Sequence, residues 1–297
     1  MSMTWSTNAV LGRIWFRGLL VWLCAAPSTP ALAERIVVPN GALQILSLGY
    51  ESGRIHAADL GVTAAPPAAG DAIRVDCSTG REGDCSLRSR VGPGEDYLSF
   101  GAPRAESSAM GNMRVRYHAG SAFRYRFSFK LADDGVTAPA ASGVGRPIAI
   151  IWQFKRFKGR PDVFLGIKSD ALVMRVGARD QYELVPAPVP VGRWVDVDIE
   201  VLWSLTDAGR LRAEASLADG AAWPSVELSG PTLLDQPAPS GYLKWGLYRP
   251  DAVGRFKVGT VWHDAIRIDR LAPSAAARSM PIPWRVATSR QAPSRGR

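Results

Sequence analysis

The chain has 297 residues, 46% of them hydrophobic, and a formal net charge of +9. Arg13 and Arg17 near the start and Arg278, Arg285, Arg290, Arg295 and Arg297 near the end carry most of that excess. The stretch between them is close to balanced, so global charge gives no case for a nucleic-acid partner. No phosphate loop, zinc-ligand spacing or nucleophile elbow occurs, which sets those chemistries aside.

The first residues read as an address. Arg13 and Arg17 precede a short apolar run, Gly18 to Ala26, and the small-residue triplet Ala31-Leu32-Ala33 stands before Glu34. That order marks a secretory signal peptide over 1–33, with cleavage after Ala33. The apolar run is well short of the ~20 residues a spanning helix needs, and no later segment could span a bilayer. A periplasmic or secreted location follows, with no stable membrane insertion after cleavage. Cys77 and Cys85 then form an even pair, expected as a local disulfide in an oxidising compartment.

Further along, the signal is period-2 alternation between turn residues. Strands are expected at 124–130, at 147–155, in a hairpin of 163–168 with 171–176 around Ser169-Asp170, at 194–203, at 210–216 and at 258–268. Many short strands of this kind argue an all-β, two-sheet antiparallel β-sandwich over 34–271. The loop 132–146 is long enough for a lid or rim. The basic stretch 272–297 has little to bury and is expected to be a disordered tail.

Alternation also sorts polar groups onto faces. Tyr242, Lys244, Gly246 and Tyr248 share one face of a strand, with Gly246 leaving room for a ligand to approach the backbone. Gln153 and Lys155 share a face, and Arg114, Arg116 and His118 project together from an expected strand over 113–120. A Tyr beside cations has its phenolate favoured, and Arg, Lys and Gln can neutralise a carboxylate. Those are the requirements for β-elimination next to a uronic-acid carboxyl group, where enolate-like charge must be stabilised. Glycoside hydrolysis usually needs two opposed carboxyl groups, and Asp196, Asp198 and Glu200 instead read as a solvated strand face.

The segment Tyr242-Leu-Lys-Trp-Gly-Leu-Tyr-Arg249 resembles the Tyr-Phe-Lys-x-Gly-x-Tyr strand of the jelly-roll polysaccharide lyases, the group of heparin lyase I, glucuronan lyase and the smaller alginate lyases. Gly192 to Ser204, Val261 to Ile268 and Tyr50 to Gly53 are similar to other strands of that family, in order along the chain. The resemblance implies a concanavalin-like β-jelly roll and an exported lyase acting on a uronic-acid polysaccharide. It makes Tyr248 the proton-transferring residue and Lys244 its cationic support. Gln153, Lys155 and Arg114 complete the catalytic set, and Arg116, His118, Tyr242 and Arg249 are assigned to substrate binding.

Two departures stand out. Lys155 occupies the His position of a Gln-x-His motif, and Arg116 the Glu position of an Arg-x-Glu motif. An alternative register, Arg104-Ala105-Glu106, restores that Glu. No cofactor or catalytic metal is implied, calcium on a peripheral loop stays open, and a monomer is expected. The alternative reading is a non-catalytic carbohydrate-binding jelly roll derived from a lyase.

Overall fold

The computed structural model describes residues 37–38, 42–65, 67–134, 136, 148–156, 159–177, 181–250 and 258–272. The expected leader, most of the loop 132–146 and all but the first residue of the basic tail lie outside them.

Among the described residues the strands are β1 (Val37–Val38), β2 (Ala42–Leu48), β3 (Thr63–Ala65), β4 (Ile73–Asp76), β5 (Ser86–Val91), β6 (Leu98–Ser99), β7 (Ala102–Ser108), β8 (Ala122–Leu131) and β9 (Ala149–Arg156). They continue as β10 (Val163–Lys168), β11 (Ala171–Val176), β12 (Gln181–Val185), β13 (Trp194–Leu202), β14 (Arg210–Leu217), β15 (Val226–Ser229), β16 (Gly241–Tyr248) and β17 (Gly259–Leu271). One sheet has the order β1-β2-β17-β8-β13-β14-β15, with β5 also on β17 and β4 on β5. The other runs β12-β11-β10-β9-β16-β7-β3, with β6 on β7. The strands pair antiparallel and neither sheet closes into a barrel, so the fold is the expected two-sheet sandwich.

Alternation explains which residues meet between the sheets. Phe123, Tyr125, Phe127 and Phe129 of β8 and Val195, Val197, Ile199 and Val201 of β13 point inward from one sheet. Trp152 and Phe154 of β9 and Leu243, Trp245 and Leu247 of β16 meet them from the other. Trp152 stacks on Phe127 with ring centroids 3.7 Å apart. Each such side chain contributes about 1.5–3 kcal/mol by leaving water. The outward alternation of β8 and β13 places Arg126 opposite Asp198, and Arg124 opposite Glu200.

Turn chemistry sets the hairpin of β10 and β11. Ser169 and Asp170 both adopt positive φ, 53° and 62°, the conformation a two-residue turn needs to match strand twist. Cys77 and Cys85 are disulfide-bonded. The loop they close is seated on the outer face of the nine-stranded sheet, where buried Asp264 accepts the N–H groups of Arg81 (2.7 Å) and Glu82 (3.0 Å). Burial raises the Asp264 carboxyl above its usual range despite those donors.

The strand expected over 113–120 does not form. Asn112 accepts the Arg114 N–H through its side chain at 2.9 Å, and Met113–Val115 is a single 3-10 turn. Tyr117 makes only an isolated bridge to Gly241. The chain turns again at His118, where Ser121 N–H donates to the His118 carbonyl, and β8 begins after it.

Candidate active site

Strand β16 lies between β9 and β7, and its outward residues form the centre of the site. Lys244 stands opposite Gln153 of β9 on one side and Ser108 of β7 on the other. Tyr248 stands opposite Arg104. Between Trp245 and Tyr248 the register with β9 slips by one residue, while the register with β7 holds. Gly246 makes this possible. Its φ is 133°, and a Cβ there would lie 2.2 Å from the Ala105 carbonyl oxygen. The space expected for a ligand above Gly246 is therefore taken by the neighbouring strand, because two backbones approach too closely for any side chain.

The organising group is Glu106 of β7, whose side chain is 3% exposed. Its Oε2 accepts from Lys244 Nζ and its Oε1 from Gln153 Nε2. Arg104 Nε lies 3.3 Å from Oε2, and the Arg104 guanidinium stands over the Tyr248 ring, 4.1 Å from the centroid. One buried carboxylate thus positions a lysine, a glutamine and an arginine beside a tyrosine. A buried charge persists only when paired in this way.

Lys155 shares this face and stands opposite Tyr242, donating to the Gly159 carbonyl. Burial pushes its ammonium below the ordinary value, and nearby Lys244 and Arg104 push in the same direction. Burial raises the Tyr242 phenol, with Glu106 adding to the effect. Arg116 stacks 5.2 Å from the Tyr242 ring centroid and donates to the Met110 carbonyl, which places it at one end of the cluster.

Other expected site residues lie elsewhere. Arg114 is exposed in its 3-10 turn, and its carbonyl accepts from Arg270 of β17 in the opposite sheet. The register that reaches the cluster is Arg104-Ala105-Glu106, because two residues along a strand return to the same face. His118 is exposed in a turn with Nδ1 2.9 Å from the Ala119 carbonyl, so it does not share a strand face with Arg114. Arg249 is 3% exposed, its Nη2 pointing at the Val136 carbonyl, and burial lowers its guanidinium to about 10. It points from the end of β16 towards Gly259 of the opposite sheet, closed to a polymer on the outer face.

No histidine enters the cluster. His56 is exposed and accepts the Ala64 N–H, and His263 is buried between the sheets beside Phe127 and Trp152. Burial drives the His263 imidazole down to about 3, so it stays neutral. Tyr50, from the segment resembling an opening strand, accepts from Trp245 Nε1 at 2.8 Å directly beneath β16. Sequence reading passed over Phe100, which is 87% exposed in a positive-φ turn with Arg104 5.7 Å from its ring centroid. A large apolar residue just before a Gly in a turn was the available signal. Among the described residues no group of three or more His, Cys, Asp or Glu side chains is arranged to hold a metal ion.

Fold and cluster together define a jelly-roll protein with a cationic, tyrosine-bearing outer face. A family model described as polysaccharide lyase matches residues 49–267, and the chain belongs to that family. It is a polysaccharide lyase. Among solved structures, an alginate lyase from Aplysia kurodai superposes with a TM-score of 0.50 at 9% identity, covering 76% of this chain and 98% of that one. An endo-β-1,4-glucuronan lyase from Trichoderma reesei gives 0.48 at 17% identity, covering 76% and 94%. A family 7 alginate lyase gives 0.49 at 15% identity, covering 76% and 98%. No curated protein matches the sequence.

Proposed function

We propose that this lyase is exported and cleaves a uronic-acid-containing acidic polysaccharide by β-elimination, with Tyr248 as the proton-transferring group. The observation that carries the reading is the Glu106-centred cluster, which holds Arg104, Lys244 and Gln153 beside the Tyr248 ring. Each of those side chains has more N–H donors than Glu106 uses, so each keeps donors for a substrate carboxylate.

The chemistry follows from that placement. The Tyr248 oxygen, as phenolate, takes the proton from the carbon beside the uronate carboxyl group. Charge moves onto the carboxyl oxygens, where Arg104, Lys244 and Gln153 compensate it. The C–O bond to the next sugar breaks, a carbon–carbon double bond forms, and Tyr248 returns the proton to the departing oxygen. The tyrosine is restored and no cofactor is consumed. Because one group takes and gives the proton, the breaking C–H and C–O bonds must lie on the same face of the sugar ring. Lys155, in the position where the resembled family has a histidine, serves here as a cationic donor to the carboxylate.

Export is supported by the Cys77–Cys85 disulfide, since such bonds persist in oxidising compartments. N-terminal sequencing of the exported protein is expected to begin at Glu34.

The test is growth of ultraviolet absorbance from unsaturated uronic ends when the purified protein meets a panel of uronic-acid polymers, glucuronan and alginate among them. Tyr248→Phe is expected to lose at least about 100-fold in kcat while its circular dichroism and melting temperature hold. Full activity in that variant sinks the mechanism, and glycan retention without chain shortening leaves a binding protein instead.

A further inference from the structure

The line of residues through the cluster does not end at β9. Ser108 of β7, Lys244 of β16, Gln153 of β9, Phe164 of β10 and Arg175 of β11 stand directly opposite one another on successive strands. Directly opposed residues share a face, so these five form one row across the outer surface, perpendicular to the strands. At roughly 4.8 Å per strand, Arg175 lies about 14 Å from Lys244 along that row.

Arg175 differs from Arg124, Arg126 and Arg267 of the opposite sheet, each of which meets a carboxylate. Its guanidinium lies over the Phe164 ring, 4.8 Å from the centroid. Its Nε is shielded and has no hydrogen-bond partner, and no carboxylate pairs with it among the described residues. Burial and the neighbouring Arg160 both push the guanidinium below its ordinary value, so the nearby charge acting on it is another cation. A flat cation supported on an aromatic face and lacking an internal counter-ion is arranged to receive an anion from outside. Covering Phe164 alone would not call for a second cation beside it, since a lysine or arginine stem shields a ring without one.

We propose that Arg175, stacked on Phe164 and backed by Arg160, is a distal subsite that binds the carboxylate of another uronate in the same polysaccharide chain. The proposal rests on the lyase reading of this face. It makes the enzyme hold a run of acidic sugars across the strands, from Arg104 to Arg175, and cleave within the chain rather than at its end. Spreading contacts in this way ties affinity to chain length, because a short fragment cannot reach both the cluster and Arg175.

The experiment compares wild type with Arg175→Ala and Arg175→Lys on whichever panel polymer wild type degrades. On the polymer, Arg175→Ala is expected to raise KM roughly tenfold with kcat unchanged, the loss of one charge-assisted contact. Arg175→Lys should recover part of it. On uronate trisaccharides, too short to span the row, variant and wild type should agree. An unchanged KM on the polymer, or an equal change on trisaccharides, overturns the subsite. Should wild type cleave none of the polymers, the lyase reading fails separately. Electrophoresis through alginate-containing gels then decides: retardation of wild type but not of Arg175→Ala supports the subsite, and equal mobility overturns it.

Discussion

On the outer face of the nine-stranded sheet, Asp196 pairs with Arg81, and Asp198 and Glu200 both meet Arg124. Arg126 pairs with Asp269, and Arg267 with Glu82. Each of these charges has its opposite within the same surface. On the outer face of the eight-stranded sheet, Lys244 and Arg104 converge on Glu106, with Lys155 beside them and Arg175 further along. The named charges of the first face are neutralised by neighbouring strands and by the disulfide-closed loop. The second carries cations in excess of their carboxylate. The same residue types therefore give a solvated wall on one side and a site able to accept an acidic chain on the other.

The strongest way to break this comparison is at Glu106. Its side chain is 3% exposed, whereas those of Asp196 and Asp198 are 33% and 27% exposed. Glu106→Ala should destabilise the protein by about 3 kcal/mol in urea unfolding, since it leaves two shielded cations without their anion. Activity should fall with it, because Lys244, Gln153 and Arg104 lose their common anchor. A cost below about 1 kcal/mol would place Glu106 on a par with surface carboxylates and remove the distinction.

Lys155 sharpens the comparison through pH. Its ammonium is held below the ordinary lysine value by burial and by Lys244 and Arg104. Between that lowered value and about 10.4 the unfolded chain binds the extra proton, so stability rises with pH through this window. Below it the cost of the charge is fully present. Lys155→Met is therefore expected to be more stable than wild type near neutrality, with the advantage shrinking as pH rises towards that upper limit. A difference independent of pH would show that Lys155 sits there at no electrostatic cost.

The smallest effect belongs to the paired wall. Arg124→Ala should change stability by less than about 1 kcal/mol, as partly exposed ion pairs do, and leave lyase activity as it is. An activity loss there would mean that the wall also contacts substrate.

Much of this was legible from alternation. The strand of Tyr242, Lys244 and Tyr248 and the co-facing Gln153 and Lys155 follow from period 2, and the Ser169-Asp170 turn from local chemistry. Which strands lie side by side was not legible. Glu106 is 138 positions from Lys244 in the chain, and nothing local marks that they meet. Arg114 and His118 failed for the opposite reason: the alternation around them is real, but the Asn112 side chain and the Ser121 turn satisfy the backbone locally and no strand forms. Arg249 follows the right strand yet is buried, with its guanidinium directed at the opposite sheet.

By itself, then, the sequence determined an all-β chain, the faces of its strands and the tyrosine and lysine of the candidate site, because side-chain alternation is a local property of an extended backbone. Only the tertiary structure decided that β7 joins β16, that Glu106 gathers the cations, and that the row runs on to Arg175. Those facts depend on register between strands far apart in the chain, which is set by the packing of both sheets at once.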